Sequence, residues 1–147
     1  MSYLVISLVL LPLIAAVYSV MRLAQIKRTK IGFNKKSCDE QTVNSRFLVI
    51  ALSIFSNVIY GLLEMFMLYN QYDSLNAPEI FRHMCIIAVL CGCATCIIQG
   101  IIGKAELEKG ALYDGSAFSK CILKICIPEL IAIAGLIYFM LGFVMLG

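Results

Sequence analysis

At 147 residues, 61% hydrophobic and only 14% charged, the chain carries more apolar side chain than a water-soluble core of this size accommodates. Its formal charge of +3 comes from cations set in the connectors between apolar runs, so it reports membrane topology and gives no ground for nucleic-acid binding. The seven cysteines are an odd number and lie mostly inside apolar runs, which argues against a disulfide framework.

Four runs reach the roughly 20 residues that a helix needs to cross a bilayer: Tyr3 to Ala24, Phe47 to Tyr69, Met84 to Gly103 and Cys121 to Leu146. The expected fold is an all-α membrane protein of four transmembrane helices. The first run has Arg22 in its last turn, is followed by Lys27, Arg28 and Lys30 and by no small-x-small cleavage site, and reads as a retained span. Its small positions are few, chiefly Ala15, Ala16 and Ser19 with Pro12 midway, which predicts a looser or displaced packing seam. The connector after it adds Lys35, Lys36 and Arg46 to the cations.

The second run holds a small polar cluster, Ser53, Ser56 and Asn57, all potential oxygen donors to an ion. Glu64 lies six residues before Asn70 on a span heading outward, and the expectation is that it snorkels to the outer headgroups. The connector from Asn70 to His83 is short, contains the turn signal Asn76-Ala77-Pro78, and has Arg82 as its only Lys or Arg. The connector between the third and fourth runs carries Lys104, Lys109 and Lys120, with Gly110 and Asp114-Gly115 as turn residues. The cation bias of cytoplasmic loops places both long connectors in the cytoplasm and both termini on the other side.

In the third run, Cys91-Gly92-Cys93-Ala94-Thr95-Cys96 does not form a metal site, because helical neighbours two and five apart point in different directions. Gly92, Ala94, Gly100 and Gly103 offer a small surface for close helix contact, and Gln99 sits one turn inside Lys104. Lys124, one turn into the fourth run, can snorkel back to the interface. Glu129 is the exception: an acid directly after Pro128, deep inside an apolar run. An ionised acid at a helix centre costs roughly 2.5 to 3.5 kcal/mol on insertion scales, so Glu129 should be neutral, cation-paired, or both in turn. Two readings follow: an ion carrier, or a protonated acid that bonds a neighbouring helix.

Sliding the chain by 74 positions pairs Gln25 with Gln99, Lys30 with Lys104, Ser45-Arg46 with Ser119-Lys120, and Gly61-Leu62 with Gly135-Leu136. The chain therefore reads as two tandem helical hairpins, 1–70 and 71–147, repeated in parallel orientation. Phe55 takes the place of Glu129 in the first hairpin, so only the second keeps the acid.

The run Gln99-Gly100, a charged connector, and Pro128-Glu129-Leu130-Ile131-Ala132-Ile133-Ala134-Gly135 resembles the four-helix proteolipid, or rotor-ring subunit, of V-type and archaeal-type rotary ATPases. That family shows a Gln-Gly pair ending its third helix and a fourth helix of Pro-Glu-Thr-x-Ala-Ile-x-Gly form. Leu130 departs from the threonine. The family's second helix reads Leu-Pro-Gly-Thr-Gln-Gly-x-Tyr-Gly, and anchoring on Tyr60-Gly61 sets Ser56 on the threonine and Asn57 on the glutamine. Ile54 and Phe55 replace Pro-Gly, and the family's Gly-rich first helix is absent.

The resemblance implies that identical copies assemble into a ring among membrane lipids, turning against stator and central-stalk subunits. Glu129 would carry one sodium ion or proton, with Gln99, Ser56 and Asn57 supplying oxygens and Ser53 its main-chain carbonyl. No resident cofactor is implied. The chain has no Gly-Lys-Ser/Thr phosphate loop and no nucleophile arrangement, so no ATPase site is expected in it, and His83 has no positioned partner for general-base chemistry. The competing expectation is a four-span scaffold or assembly protein that packs against other membrane proteins without transporting anything.

Overall fold

The computed structural model describes residues 2–30, 38–71 and 79–146. They form four helices and, among the described residues, no strand: α1 (Ser2–Lys30), α2 (Glu40–Gln71), α3 (Glu79–Glu108) and α4 (Gly115–Leu146). Each contains a stretch long and apolar enough to cross a membrane, and the chain is a multi-pass membrane protein. The helices outrun the apolar runs at the long connectors, since a helix continues into water until its backbone is capped. Lys35, Lys36 and the turn signal Asn76-Ala77-Pro78 lie outside the described residues.

The α3–α4 connector shows how capping fixes a boundary. Gly110, with φ of 87°, closes α3: its N–H donates to the Leu107 carbonyl while the Ala111 N–H donates to the Glu106 carbonyl. Only glycine adopts that backbone without strain. Four residues later the Asp114 carboxylate accepts from the Ser116 and Ala117 N–H groups and opens α4. Arg46, from the first turns of α2, donates to the Leu112 carbonyl at 2.9 Å and lies over the Phe118 ring, fastening this connector to the other hairpin. Lys124 runs back to the same end and meets Glu106 at 2.7 Å, and Lys109 completes the cluster at 3.1 Å.

Buried positions recur in steps of three and four on every helix: Ile50, Ile54, Asn57, Gly61, Glu64, Leu68 on α2, and Cys121, Ile125, Pro128, Ala132, Gly135, Phe139 on α4. That period keeps one stripe facing inward along a whole span. Shifted by 74 positions, the bounds of α2 fall within a residue of those of α4, and those of α1 three to four residues before those of α3. α2 and α3 each touch the other three helices, while α1 and α4 do not meet.

The largest interface joins α1 to α3, across the two hairpins. Of the looser or displaced seam expected for α1, the structure shows the displaced one: α1 packs along α3, and the small residues come from that partner. Pro12 packs on Gly92, Ser19 on Gly100 and Leu23 on Gly103, and a Cβ at Gly100 would overlap the Ser19 side chain. Ser19 Oγ also donates to the Cys96 carbonyl at 3.0 Å.

Two apolar clusters fill the interior. One, nearer the long connectors, includes Leu23, Ile50, Ile54, Leu107, Leu112 and Ile125. The other, at the opposite end, includes Leu8, Leu68, Phe81, Met84 and Phe139, with Phe143 stacked on Phe139 and edge-on to Phe81. Between them lies a polar layer.

Candidate functional site

Side chains of α3 fix the layer. Pro128 lies inside α4 and, having no N–H, leaves the Lys124 carbonyl without its helical donor one turn before Glu129. Two α3 side chains four residues apart on one face bond carbonyls of the same stretch: Gln99 Nε2 donates to the Ile125 carbonyl at 3.1 Å, and Thr95 Oγ1 reaches the Pro128 carbonyl at 3.3 Å. Thr95 also bonds the Cys91 carbonyl at 2.8 Å, within its own helix. The segment that presents Glu129 is thus held from α3.

Glu129 emerges half-buried, on the side of α4 that meets α2. Two hydroxyls one turn apart on α2 converge on the same carboxylate oxygen: Ser56 Oγ donates to Glu129 Oε1 at 2.8 Å and Tyr60 OH donates to it at 2.9 Å. Ser56 Oγ also lies 2.7 Å from the Ser53 carbonyl. Donors to a carboxylate are charge-assisted bonds, about twice as strong as neutral ones.

Farther in, Asn57 Nδ2 donates to Gln99 Oε1 at 2.9 Å and to the Ile54 carbonyl at 3.1 Å. Both amides are essentially inaccessible, Gln99 at 0% and Asn57 at 1% exposure. The sequence-selected residues therefore fall into two neighbouring groups. Ser56 touches Glu129 directly and the Ser53 carbonyl stands behind Ser56, whereas Gln99 and Asn57 bond each other and brace α2, α3 and α4 without bonding the carboxylate. Gln25, which the 74-position register pairs with Gln99, is exposed, and Phe55, which it pairs with Glu129, packs against the apolar core.

Tyr60 and Thr95 were not among the expected site residues. Each sits one turn from one that was, Tyr60 after Ser56 and Thr95 before Gln99, and helical spacing alone would have put them on the same faces. Glu64 is a correction. It does not snorkel to the headgroups: it is 4% exposed and lies on the inward stripe of α2. The axial distance to Asn70 suggested the headgroups, but the face on which a residue lies decides where its side chain goes. The cysteines are free thiols, with Cys96 in contact with the carbonyls of Pro12 and Ile54.

No family model and no curated protein matches the chain.

Proposed function

We propose that this protein is an ion-translocating membrane subunit that carries one sodium ion or proton per chain on Glu129 and works as part of a ring of identical copies in a rotary ATPase. The observation that supports this most is the convergence of Ser56 and Tyr60 on one Glu129 oxygen across the α2–α4 contact. An acid that only glued the bundle would be served as well by a single partner in the interior. Here the carboxylate sits at an accessible edge with a prepared set of hydroxyls.

Ser56 gives the site two settings. A hydroxyl has one hydrogen and two lone pairs, and Ser56 has two acceptors in reach, Glu129 Oε1 and the Ser53 carbonyl. With Glu129 ionised, the Ser56 hydrogen points to the carboxylate. With Glu129 protonated, the acid donates to Ser56 Oγ and Ser56 turns its own hydrogen to the Ser53 carbonyl. Both charge states keep their hydrogen bonds without a backbone movement. When a sodium ion is carried, the lone pairs of the Ser56 and Tyr60 hydroxyls join the carboxylate as hard oxygen ligands.

In the ring, Glu129 would be neutralised while facing lipid and would release its ion opposite a cation on a stator subunit. Torque would pass to the central stalk, and ATP chemistry would belong to other subunits. The long connectors would face the cytoplasm and both termini the other side.

The test is transport by the reconstituted complex. Glu129→Gln keeps the shape and removes the charge, and complete loss of ion translocation is expected; full transport by that variant overturns the proposal. Detergent-extracted particles should migrate as a large closed ring. A monomer or dimer would favour the scaffold instead. Carbodiimide modification of Glu129 that sodium suppresses at fixed pH would identify sodium as the ion, and indifference to sodium would identify the proton.

A further inference from the structure

We propose that the protein holds a second, internal site for a small monovalent cation, with Glu64 as its charged ligand and the Asn57 side-chain carbonyl and the Leu8 main-chain carbonyl as its neutral ones. All three residues line one small, partly open cavity of about 10 Å³ among α1, α2 and α3, with Ala132 of α4 at its border. That is room for about one water molecule or an ion of similar size.

The two neutral oxygens arrive without a donor, each for a separate reason. Pro12 has no N–H, so the Leu8 carbonyl, four residues earlier, lacks its helical partner. Gly61 brings α2 against that carbonyl closely enough that any Cβ would overlap it. Both hydrogens of the Asn57 amide are committed, to Ile54 and Gln99, and its Oδ1 is buried with no hydrogen-bond partner. Glu64 is almost wholly buried on the same stripe of α2, two turns from Asn57. Tyr60, which also borders the cavity, directs its hydroxyl to Glu129 instead.

A buried group of acceptors with no donor is costly until something positive sits among them. One carboxylate balances one positive charge. Among the described residues no three His, Cys, Asp or Glu side chains converge, so the charge needed for a divalent ion is not there. Oxygen ligands and a single-water volume suit sodium or lithium and disfavour the larger potassium ion.

Equilibrium binding of radioactive sodium to the purified full-length protein in lipid nanodiscs, at constant ionic strength, tests this. The Glu129→Gln variant, which removes the outer carboxylate, should still bind one sodium ion per chain, displaced by lithium and not by potassium. Adding Glu64→Gln should abolish that binding, and Glu64→Asp in its place should weaken it while keeping it saturable. If Glu129→Gln binds no sodium, the cavity holds water or a protonated acid and the proposal is overturned. The result is separable from the function proposed above. An intact Glu64 site beside a Glu129 that binds neither sodium nor protons would sink the rotor reading alone, and the reverse pattern would sink only the inner site.

Discussion

The two intramembrane glutamates differ in everything except their chemistry. Glu129 stands at the α2–α4 edge with two hydroxyls aimed at one of its oxygens, whereas Glu64 is buried beside a small cavity bordered by Asn57, whose Oδ1 has no donor. A donor-rich setting stabilises the carboxylate itself, and an acceptor-rich setting stabilises whatever cation fills it. The contrast shows that an acid in a membrane helix cannot be interpreted from its depth. What decides is the polarity of the atoms that surround it.

Removing the charge at the outer acid should have the largest effect, the loss of all ion translocation in Glu129→Gln, read as sodium or proton flux in reconstituted vesicles. Breaking the inner side comes next. Gly61→Ala drives a methyl into the Leu8 carbonyl, which as backbone in a packed helix cannot yield, and should cost about 3 kcal/mol in an unfolding titration. Tyr60→Phe sharpens the comparison, since it deletes one donor to Glu129 and leaves Glu64 and the cavity carbonyls in place. One charge-assisted bond is worth about 1.5 to 3 kcal/mol, so ion affinity at the outer site should change by roughly 10-fold to 100-fold. The smallest effect belongs to Glu106→Gln, at the connector end and away from both acids. Its partners Lys109 and Lys124 are half or more exposed, so stability should change by less than about 1 kcal/mol in thermal melts and less still in high salt.

Much of this was legible in the amino-acid order. Four apolar runs gave four helices because span length and hydropathy are sequence properties. Glu129 stood out because an acid after proline in such a run has few structural excuses, and Ser56 was found because the repeat set it near the missing acid. The pairing of Gln99 with Asn57 was not legible, since it depends on which faces of α2 and α3 meet. The Glu64 cavity escaped for a related reason. It takes a proline on α1, a glycine on α2 and an orphaned amide oxygen, and no stretch of chain contains all three. A displaced α1 seam was legible only as an alternative to a loose one, because closeness there is donated by glycines of α3, which an inventory of α1 does not count.

The meeting of the Leu8 carbonyl with Gly61 also sets the height at which α1 rides on α2. Slipping α1 by one turn would bring Asn57 or Glu64, the next residues on the inward stripe of α2, toward that oxygen, and neither leaves space for it. The first helix is therefore keyed, like a tab in a notch, to a single vertical setting. Through it Pro12, Ser19 and Leu23 reach the three α3 glycines in step, so one missing side chain on α2 governs the alignment of the whole first helix.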